Sequence, residues 1–141
     1  MGKRIKVYTA SRLKEGPRWR QIADEWPEVD IVARWPFLHV TDDGLPGWPD
    51  DCAAHGAEFW THDHDDVLRA DVVLVYGQEN DTLRGALVEA GMGIALGKTV
   101  IVVGKNQAYG TWQFHPRVRR VPNLEAARSL LRLMSTPAEV N

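Results

Sequence analysis

Residues 70–77, ADVVLVYG, form an unbroken apolar run in which β-branched residues dominate. A strand without polar alternation is typical of a parallel sheet that helices cover on both faces. Residues 83–96, which follow directly, space their apolar side chains as a helix does, and Gly97 stands where a glycine ends a helix. Residues 99–103, TVIVV, predict another buried strand. The centre of the chain therefore predicts a strand-helix-strand unit.

The same alternation extends outward in both directions. The further predicted elements are a strand at 5–9, a helix at 17–26 after a Gly-Pro break, a strand at 30–35 stopped by Pro36, a helix at 62–69 and a closing helix at 124–134, with loops at 42–51 and 107–115. The predicted order is β-α-β-α-β-α-β-loop-α. This pattern indicates an α/β domain with a central parallel sheet and a ligand crevice at the carboxyl ends of its strands.

Composition limits the classes of function. With 141 residues, 44% of them hydrophobic, the chain has the material for one domain over residues 1–141. A formal charge of −2 gives no general attraction to a nucleic acid polymer. The apolar runs are too short for a bilayer, and the start MGKRIKVYTA lacks the apolar core of a secretion signal, so we expect a cytoplasmic protein without a membrane partner. The single cysteine, Cys52, excludes an intrachain disulfide and a cysteine-based metal site.

Glu89 is the first candidate for chemistry. It lies on the helix that leaves the crevice side of the central strand, in a segment that is otherwise apolar and rich in glycine. A buried carboxylate needs a partner or a function, whereas a solvated helix glutamate needs neither, and the position alone leaves both interpretations open. Gly85, Gly91 and Gly93 allow a close approach to the sheet or to a ligand.

Residues 62–66, HDHDD, form an acidic cluster just before the central strand. We expect at least one of its carboxylates to overlook the crevice. His and Asp are good metal ligands, but neighbouring residues at a helix start point in different directions. A helix cap with solvated charges explains most of the cluster better, because acidic residues suit the positive end of a helix dipole.

Two loops carry candidate binding residues. The first, residues 9–18, contains Ser11, Arg12 and Arg18, which could hold an anion together with backbone N–H groups, although a solvated basic loop is the commoner outcome. The late loop carries Tyr109, Trp112 and Phe114. These rings could stack on a base, or they could belong to an interface or to the core.

The combined pattern resembles the nucleoside 2-deoxyribosyltransferase family, including its hydrolytic branch, the 2'-deoxynucleoside 5'-phosphate N-hydrolases. The matching residues are Lys6-Val7-Tyr8-Thr9-Ala10-Ser11, Asp63 ahead of Ala70-Asp71-Val72-Val73-Leu74-Val75, and Arg84-Gly85 through Glu89-Ala90-Gly91 followed by Gly97-Lys98-Thr99-Val100. The resemblance implies a single-domain flavodoxin-like three-layer sandwich. It also implies cleavage of the N-glycosidic bond of a nucleoside or nucleotide by a retaining mechanism.

The resemblance assigns roles to particular residues. Glu89 is the nucleophile, Asp63 assists proton transfer at the base, and Tyr8 orients the nucleophile, while Ser11, Arg12, Arg18, Gly85 and Trp112 are candidate substrate contacts. No metal and no cofactor are expected. Relatives complete each site with a neighbouring subunit, so we expect a homo-oligomer, a dimer or higher. This chain departs from the family in two places: Leu83 replaces an acidic residue, with Asp81 nearby, and the first loop is not glycine-rich.

Two carboxylates in one crevice suffice for this chemistry. Breaking a glycosidic bond passes through an oxocarbenium-like centre, which one carboxylate attacks while a second acid protonates the departing base. Hydrolysis and base exchange both remain open. A non-catalytic nucleotide-binding or sensing module of the same fold is the alternative. A flavodoxin-like electron carrier is disfavoured, since no Ser/Thr-rich phosphate loop follows the first strand.

Overall fold

The computed structural model describes residues 3–45 and 53–135, which fold around one parallel sheet. Its elements are β1 Ile5–Ala10, α1 Gly16–Glu25, β2 Val29–Ile31, α2 Trp35–Leu38, α3 Ala53–Arg69, β3 Val72–Tyr76, α4 Gly85–Ala95, β4 Thr99–Val103, β5 Val118–Val121 and α5 Leu124–Ser135, with 3-10 turns at Leu13–Glu15 and Thr111–Phe114. The strand order is β2-β1-β3-β4-β5, and every pair is parallel. This is the flavodoxin-like order, which confirms the predicted fold class.

Helices cover both faces of the sheet. Val73 and Tyr76 are three residues apart on β3 and therefore point to opposite faces. Val73 meets α4, because a Cβ added at Gly93 would lie only 2.7 Å from a Val73 methyl group. Tyr76 meets α1, since its ring packs edge-on against Trp19 at 5.8 Å. The absence of a side chain at Gly93 therefore lets α4 lie directly on the sheet.

The central elements match the sequence-based prediction closely. Both β3 and β4 are buried along almost their whole length, as the unbroken apolar runs predict. Gly97 follows α4 with φ of 76°, a left-handed conformation that glycine adopts without strain, and this confirms the predicted end of that helix.

The acidic cluster lies in a different part of its helix than predicted. The prediction that a helix starts at residue 62 is wrong, since α3 already begins at Ala53. Residues 62–66 therefore occupy the later turns of α3, and attraction to the positive end of a helix dipole does not explain them. Of the predicted loop at 42–51, residues 46–51 lie outside the described residues, as does Cys52.

Two further differences concern proline and arginine. Pro36 does not stop a strand, because β2 ends at Ile31 and Pro36 stands in the first turn of α2, where its missing N–H would have no helical partner. The strand β5 was not predicted. Its residues Arg119 and Arg120 are exposed at the edge of the sheet, where charged side chains are common. Within the described ranges no helix has the length and apolar character needed to cross a membrane.

Candidate active site

Three side chains from separate elements meet beside the carboxyl end of β1. Tyr8 comes from β1, Asp63 from α3 and Glu89 from α4, and they are 0%, 0% and 4% exposed. The Tyr8 hydroxyl donates a hydrogen bond to Oε2 of Glu89. Asp63 is close enough to both groups to influence their ionisation. The structure therefore brings together the three residues that the resemblance names as catalytic.

Local structure explains the burial of Glu89. The buried residues of α4 are Ala86, Glu89, Ala90 and Gly93, which are spaced as one face of a helix. Glu89 thus takes a core position on a helix that otherwise carries small and apolar side chains. The interpretation of Glu89 as a solvated helix glutamate is excluded by this burial.

Burial governs the ionisation of the group. It raises the pKa of Glu89 well above its usual range, the neighbouring Asp63 raises it further, and the hydrogen bond from Tyr8 opposes both. Burial likewise raises the pKa of Asp63. Burial, followed by the charge of Glu89, raises the pKa of Tyr8, which keeps its hydroxyl protonated as a donor. The carboxyl pair therefore retains a proton at higher pH than exposed carboxyl groups do.

The members of the acidic cluster have separate environments. Neither carboxyl oxygen of Asp63 accepts a hydrogen bond of regular geometry from a described residue. Asp66 is equally buried, but it accepts bonds of 2.8 and 2.9 Å from Arg34 and pairs with Arg69 at 2.7 Å. The Asp65 side chain is 57% exposed.

The expectation of a cap with solvated charges is therefore wrong for Asp63 and Asp66. Asp66 fastens the segment before α2 to α3, whereas Asp63 is a buried acid without such a structural partner. A buried polar group of this kind calls for an explanation, and a catalytic role is one. Among residues 3–45 and 53–135, no group of three or more His, Cys, Asp or Glu side chains could hold a metal ion.

A cavity of about 830 Å³ opens beside Glu89 at the carboxyl ends of the strands. The described residues that line it come from the first loop, α2, the described part of the loop after α2, α3, the loop before α4, and α4 itself: Ser11, Arg12, Leu13, Lys14, Trp35, Gly44, Leu45, Gly56, Phe59, Trp60, Thr82, Leu83, Arg84, Gly85, Ala86 and Glu89. The volume is within the range of small-molecule sites. The cavity lies where a ligand crevice is expected in this fold.

Aromatic side chains form much of one wall. The Trp35 indole N–H donates to the Thr9 carbonyl at 2.8 Å, which ties α2 to the end of β1. The rings of Phe59 and Trp60 pack edge-on at 5.7 Å. Trp60 also lies against Gly85, because a Cβ added there would be 3.4 Å from its ring. A planar base could stack on such a surface.

The sequence analysis missed this aromatic wall. Trp35 was assigned to a strand, and Phe59 and Trp60 precede the predicted start of α3. One signal was present: Phe59 stands four positions before Asp63, on the same side of a continuous helix. Lys14 and Arg84 also line the cavity and were not singled out.

The predicted substrate contacts divide into two groups. Ser11, Arg12 and Gly85 line the cavity. The Ser11 hydroxyl also accepts a bond of 2.8 Å from the Trp19 indole, which gives it a structural partner. Arg18 and Trp112 are absent from the described lining residues.

Those two residues have other neighbours. The Arg18 Nε donates to Glu15 at 2.9 Å, and the guanidinium lies over the Tyr76 ring. The Trp112 ring packs edge-on against Tyr109 at 5.9 Å. Tyr109 is buried, and its hydroxyl donates a hydrogen bond to the Val103 carbonyl at 2.9 Å, so this ring belongs to the core of the chain.

No protein-family model and no curated protein matches this chain. Among solved structures, the fold is similar to that of the CMP N-glycosidase of Clostridium botulinum. The TM-score is 0.51, the similarity covers 91% of this chain and 98% of that chain, and the two sequences are 17% identical. At this level of identity the similarity establishes the shared α/β fold.

Proposed function

We propose that this protein cleaves the N-glycosidic bond of a nucleoside or nucleotide, with Glu89 as the nucleophile. The observation that carries the proposal is a buried glutamate on the wall of a cavity, held by the Tyr8 hydroxyl and next to the buried acid Asp63. Two carboxyl groups of this kind match the requirements of glycosidic cleavage. The relation in fold to a protein described as a CMP N-glycosidase supports the same class of reaction.

The proposed reaction has two steps. In the first, a carboxylate oxygen of Glu89 bonds to C1' of the sugar while the bond from C1' to the base nitrogen breaks, and Asp63 gives its proton to the base. In the second, a water molecule or another base attacks C1', the bond to Glu89 breaks, and Asp63 takes up the proton of the attacking group. The cycle restores the carboxylate of Glu89 and the acid form of Asp63.

The division of roles between the two acids depends on the substrate. Burial raises the pKa of both carboxyl groups, which favours retention of a proton by the pair, and the proposed mechanism starts from one proton shared between them. Positive charge that develops at C1' stabilises the ionised form of Glu89. The proton then lies on Asp63, from which the proposed mechanism transfers it to the departing base.

The proposal also assigns the binding residues. Ser11, Arg12 and Gly85 would contact the substrate directly from the cavity wall. Trp112 would act in the cavity of a neighbouring subunit, because it does not line its own. An oligomer is supported by the outer face of α4, where Val88 is 53% exposed and Gly91 and Ala95 are also exposed.

The direct test is an assay for free base with a panel of nucleosides and nucleotides. Glu89→Gln should lower base release by about 100-fold or more, because it removes the nucleophile. The matched control is Glu125→Gln, which alters an exposed glutamate on α5. A Glu89→Gln rate within tenfold of the natural protein would remove Glu89 from the mechanism.

The same panel separates the remaining possibilities. Adding a second free base and looking for a new nucleoside distinguishes base exchange from hydrolysis. Tight nucleotide binding without any base release would instead support a non-catalytic nucleotide-binding module.

A further inference from the structure

A second cavity, of about 790 Å³, opens at the carboxyl ends of β3, β4 and β5. Its described lining residues include none of those that line the cavity beside Glu89. Tyr76, in its wall, belongs to the face of the sheet that α1 covers, whereas Glu89 comes from α4 on the opposite face. The carboxyl ends of parallel strands are the usual place for a ligand in this fold, and the volume suits a small molecule. The second cavity is therefore a separate candidate site.

Two cationic side chains in the wall of the second cavity have no acidic partner. Arg120 and Lys105 are exposed, and neither forms an ion pair with a carboxylate of the described residues. The Arg120 guanidinium carbon lies 4.5 Å from the centre of the Phe114 ring, in a cation–π contact that restricts this side chain. A guanidinium over a ring keeps the N–H groups at its edge for an anion. Glu79 is the one acid among the described lining residues, so the cations outnumber it.

Three amide side chains in the same wall are each oriented by one hydrogen bond. Nε2 of Gln78 donates to Glu15 at 2.9 Å. Nε2 of Gln113 donates to the backbone carbonyl four positions earlier at 2.8 Å, and Oδ1 of Asn123 accepts a backbone N–H of α5 at 2.8 Å. The other half of each amide forms no hydrogen bond with a described residue. Two acceptors and one donor group thus remain for the hydroxyl groups of a ligand.

We propose that the second cavity binds a small hydroxylated anion, namely a sugar that carries a carboxylate or a phosphate. Arg120 and Lys105 hold the charged group, because arginine donates two parallel hydrogen bonds to either anion and lysine adds a second positive charge. The unused halves of the three amides pair with the hydroxyl groups of the sugar. This inference does not depend on the proposed function, since no residue of the second cavity takes part in the proposed cleavage.

The test compares three sugars that differ only in charge: glucose, glucuronate and glucose 6-phosphate. Calorimetry with the natural protein should show binding of an anionic sugar and no measurable binding of glucose. Binding of glucuronate alone identifies the ligand as a sugar carboxylate, and binding of glucose 6-phosphate alone identifies it as a sugar phosphate. Inorganic phosphate that binds as tightly as the sugars would show that the hydroxyl groups contribute nothing and would overturn the proposal. Absence of binding by both anionic sugars at about 10 mM would overturn it as well.

Variants place the bound anion in one cavity or the other. Arg120→Ala should weaken binding about tenfold or more, because it removes a charged hydrogen-bond donor, and Arg120→Lys should restore part of the loss. The matched control is Arg119→Ala, since Arg119 is the exposed neighbour on β5 that points to the opposite face and is not among the described lining residues. Equal losses for Arg119→Ala and Arg120→Ala would indicate general attraction to positive charge and overturn the proposal. Binding that is lost with Arg12→Ala but kept with Arg120→Ala would assign the anion to the cavity beside Glu89 and overturn it too.

Discussion

The Tyr8 hydroxyl donates its hydrogen bond to Glu89 across 81 positions of sequence, which joins β1 directly to α4. Both side chains are buried, so the bond forms away from the competition of solvent. The phenol occupies one oxygen of the carboxyl group and fixes its direction. It also favours the ionised carboxylate, in opposition to burial and to Asp63.

Tyr8→Phe removes this donor while preserving the aromatic ring. Because the Tyr8 bond lowers the pKa of Glu89, its loss should raise that pKa further and move the ascending limb of the pH-rate profile to higher pH. We expect kcat at the optimum to fall by about 10-fold to 100-fold, the usual range for a hydrogen bond to a charged group. Base release measured from pH 4 to 9 checks both effects.

The control for this variant is Tyr76→Phe, which removes a phenolic hydroxyl on the opposite face of the sheet. A Tyr8→Phe profile that loses rate without moving along the pH axis would show that Tyr8 contributes only to packing.

Asp63→Asn should shift the same limb in the other direction. The Asp63 carboxyl raises the pKa of Glu89, so its replacement should lower that pKa and move the ascending limb to lower pH. The variant also lacks the proposed proton donor. We expect a loss of about 100-fold for bases that leave poorly and a smaller loss for bases that leave readily. A series of substrates with bases of graded basicity provides the measurement.

Asp65→Asn is the matched control, because Asp65 belongs to the same cluster but is exposed. Equal losses for Asp63→Asn and Asp65→Asn would mean that the cluster acts through its general charge. Equal losses for good and poor leaving groups would remove Asp63 from proton transfer.

Glu89→Gln should stabilise the fold while it abolishes turnover. The pKa of Glu89 in the folded protein lies well above its ordinary value of 4.5, so the unfolded chain releases this proton first as pH rises. The natural protein therefore loses stability as pH rises from about 4.5 through the folded-state pKa. Glutamine does not titrate, yet it can still accept the hydrogen bond from Tyr8.

The expected result is a higher Tm for Glu89→Gln at pH 8 and little difference near pH 4.5. Thermal unfolding of both proteins across this range measures it, with Glu125→Gln as the exposed control. A variant that is less stable at every pH would show that the carboxyl group is favourable to the fold, contrary to its burial.

The parts of the fold that the sequence predicts are those with a regular pattern of apolar residues. The strands β3 and β4 are apolar throughout and α4 has a clear helical period, so each was found close to its observed position. The strand β5 lacks a recognisable apolar pattern, because an edge strand needs little apolar surface and its residues Arg119 and Arg120 are exposed. Residues 53–61 include Gly56 and have only a weak helical spacing of apolar residues, so the sequence does not predict the first half of α3.

The sequence points to a site residue where a charged side chain stands in an otherwise apolar segment. Glu89 is a carboxylate in an otherwise apolar helix segment, which makes it a candidate from sequence alone, while the choice between a solvated and a functional glutamate needed the observed burial. Tyr8 and Asp63 required the family resemblance, because nothing local distinguishes them from core or capping residues. Arg84 and Trp60 could not be assigned, since the side of the cavity that they reach depends on how α3 and α4 pack together.

The last prediction concerns assembly through α4. Its only charged residue, Glu89, points inward, so the outer face that includes Val88, Gly91 and Ala95 carries no charge. A helix that is apolar on all sides is normally covered, and a second copy of the same helix is the expected partner in a homo-oligomer. Val88→Glu would place a carboxylate in that contact. We expect it to convert the oligomer to a monomer in light scattering.

Base release by Val88→Glu should fall with dissociation, because Trp112 could no longer reach a neighbour's cavity. The control is Leu133→Glu on α5, where the leucine is 74% exposed, and it should leave both mass and rate unchanged. A natural protein that is monomeric at assay concentration would contradict the assembly. An active Val88→Glu monomer would show that each cavity is complete within one chain, so that Trp112 has no part in catalysis in a neighbouring subunit.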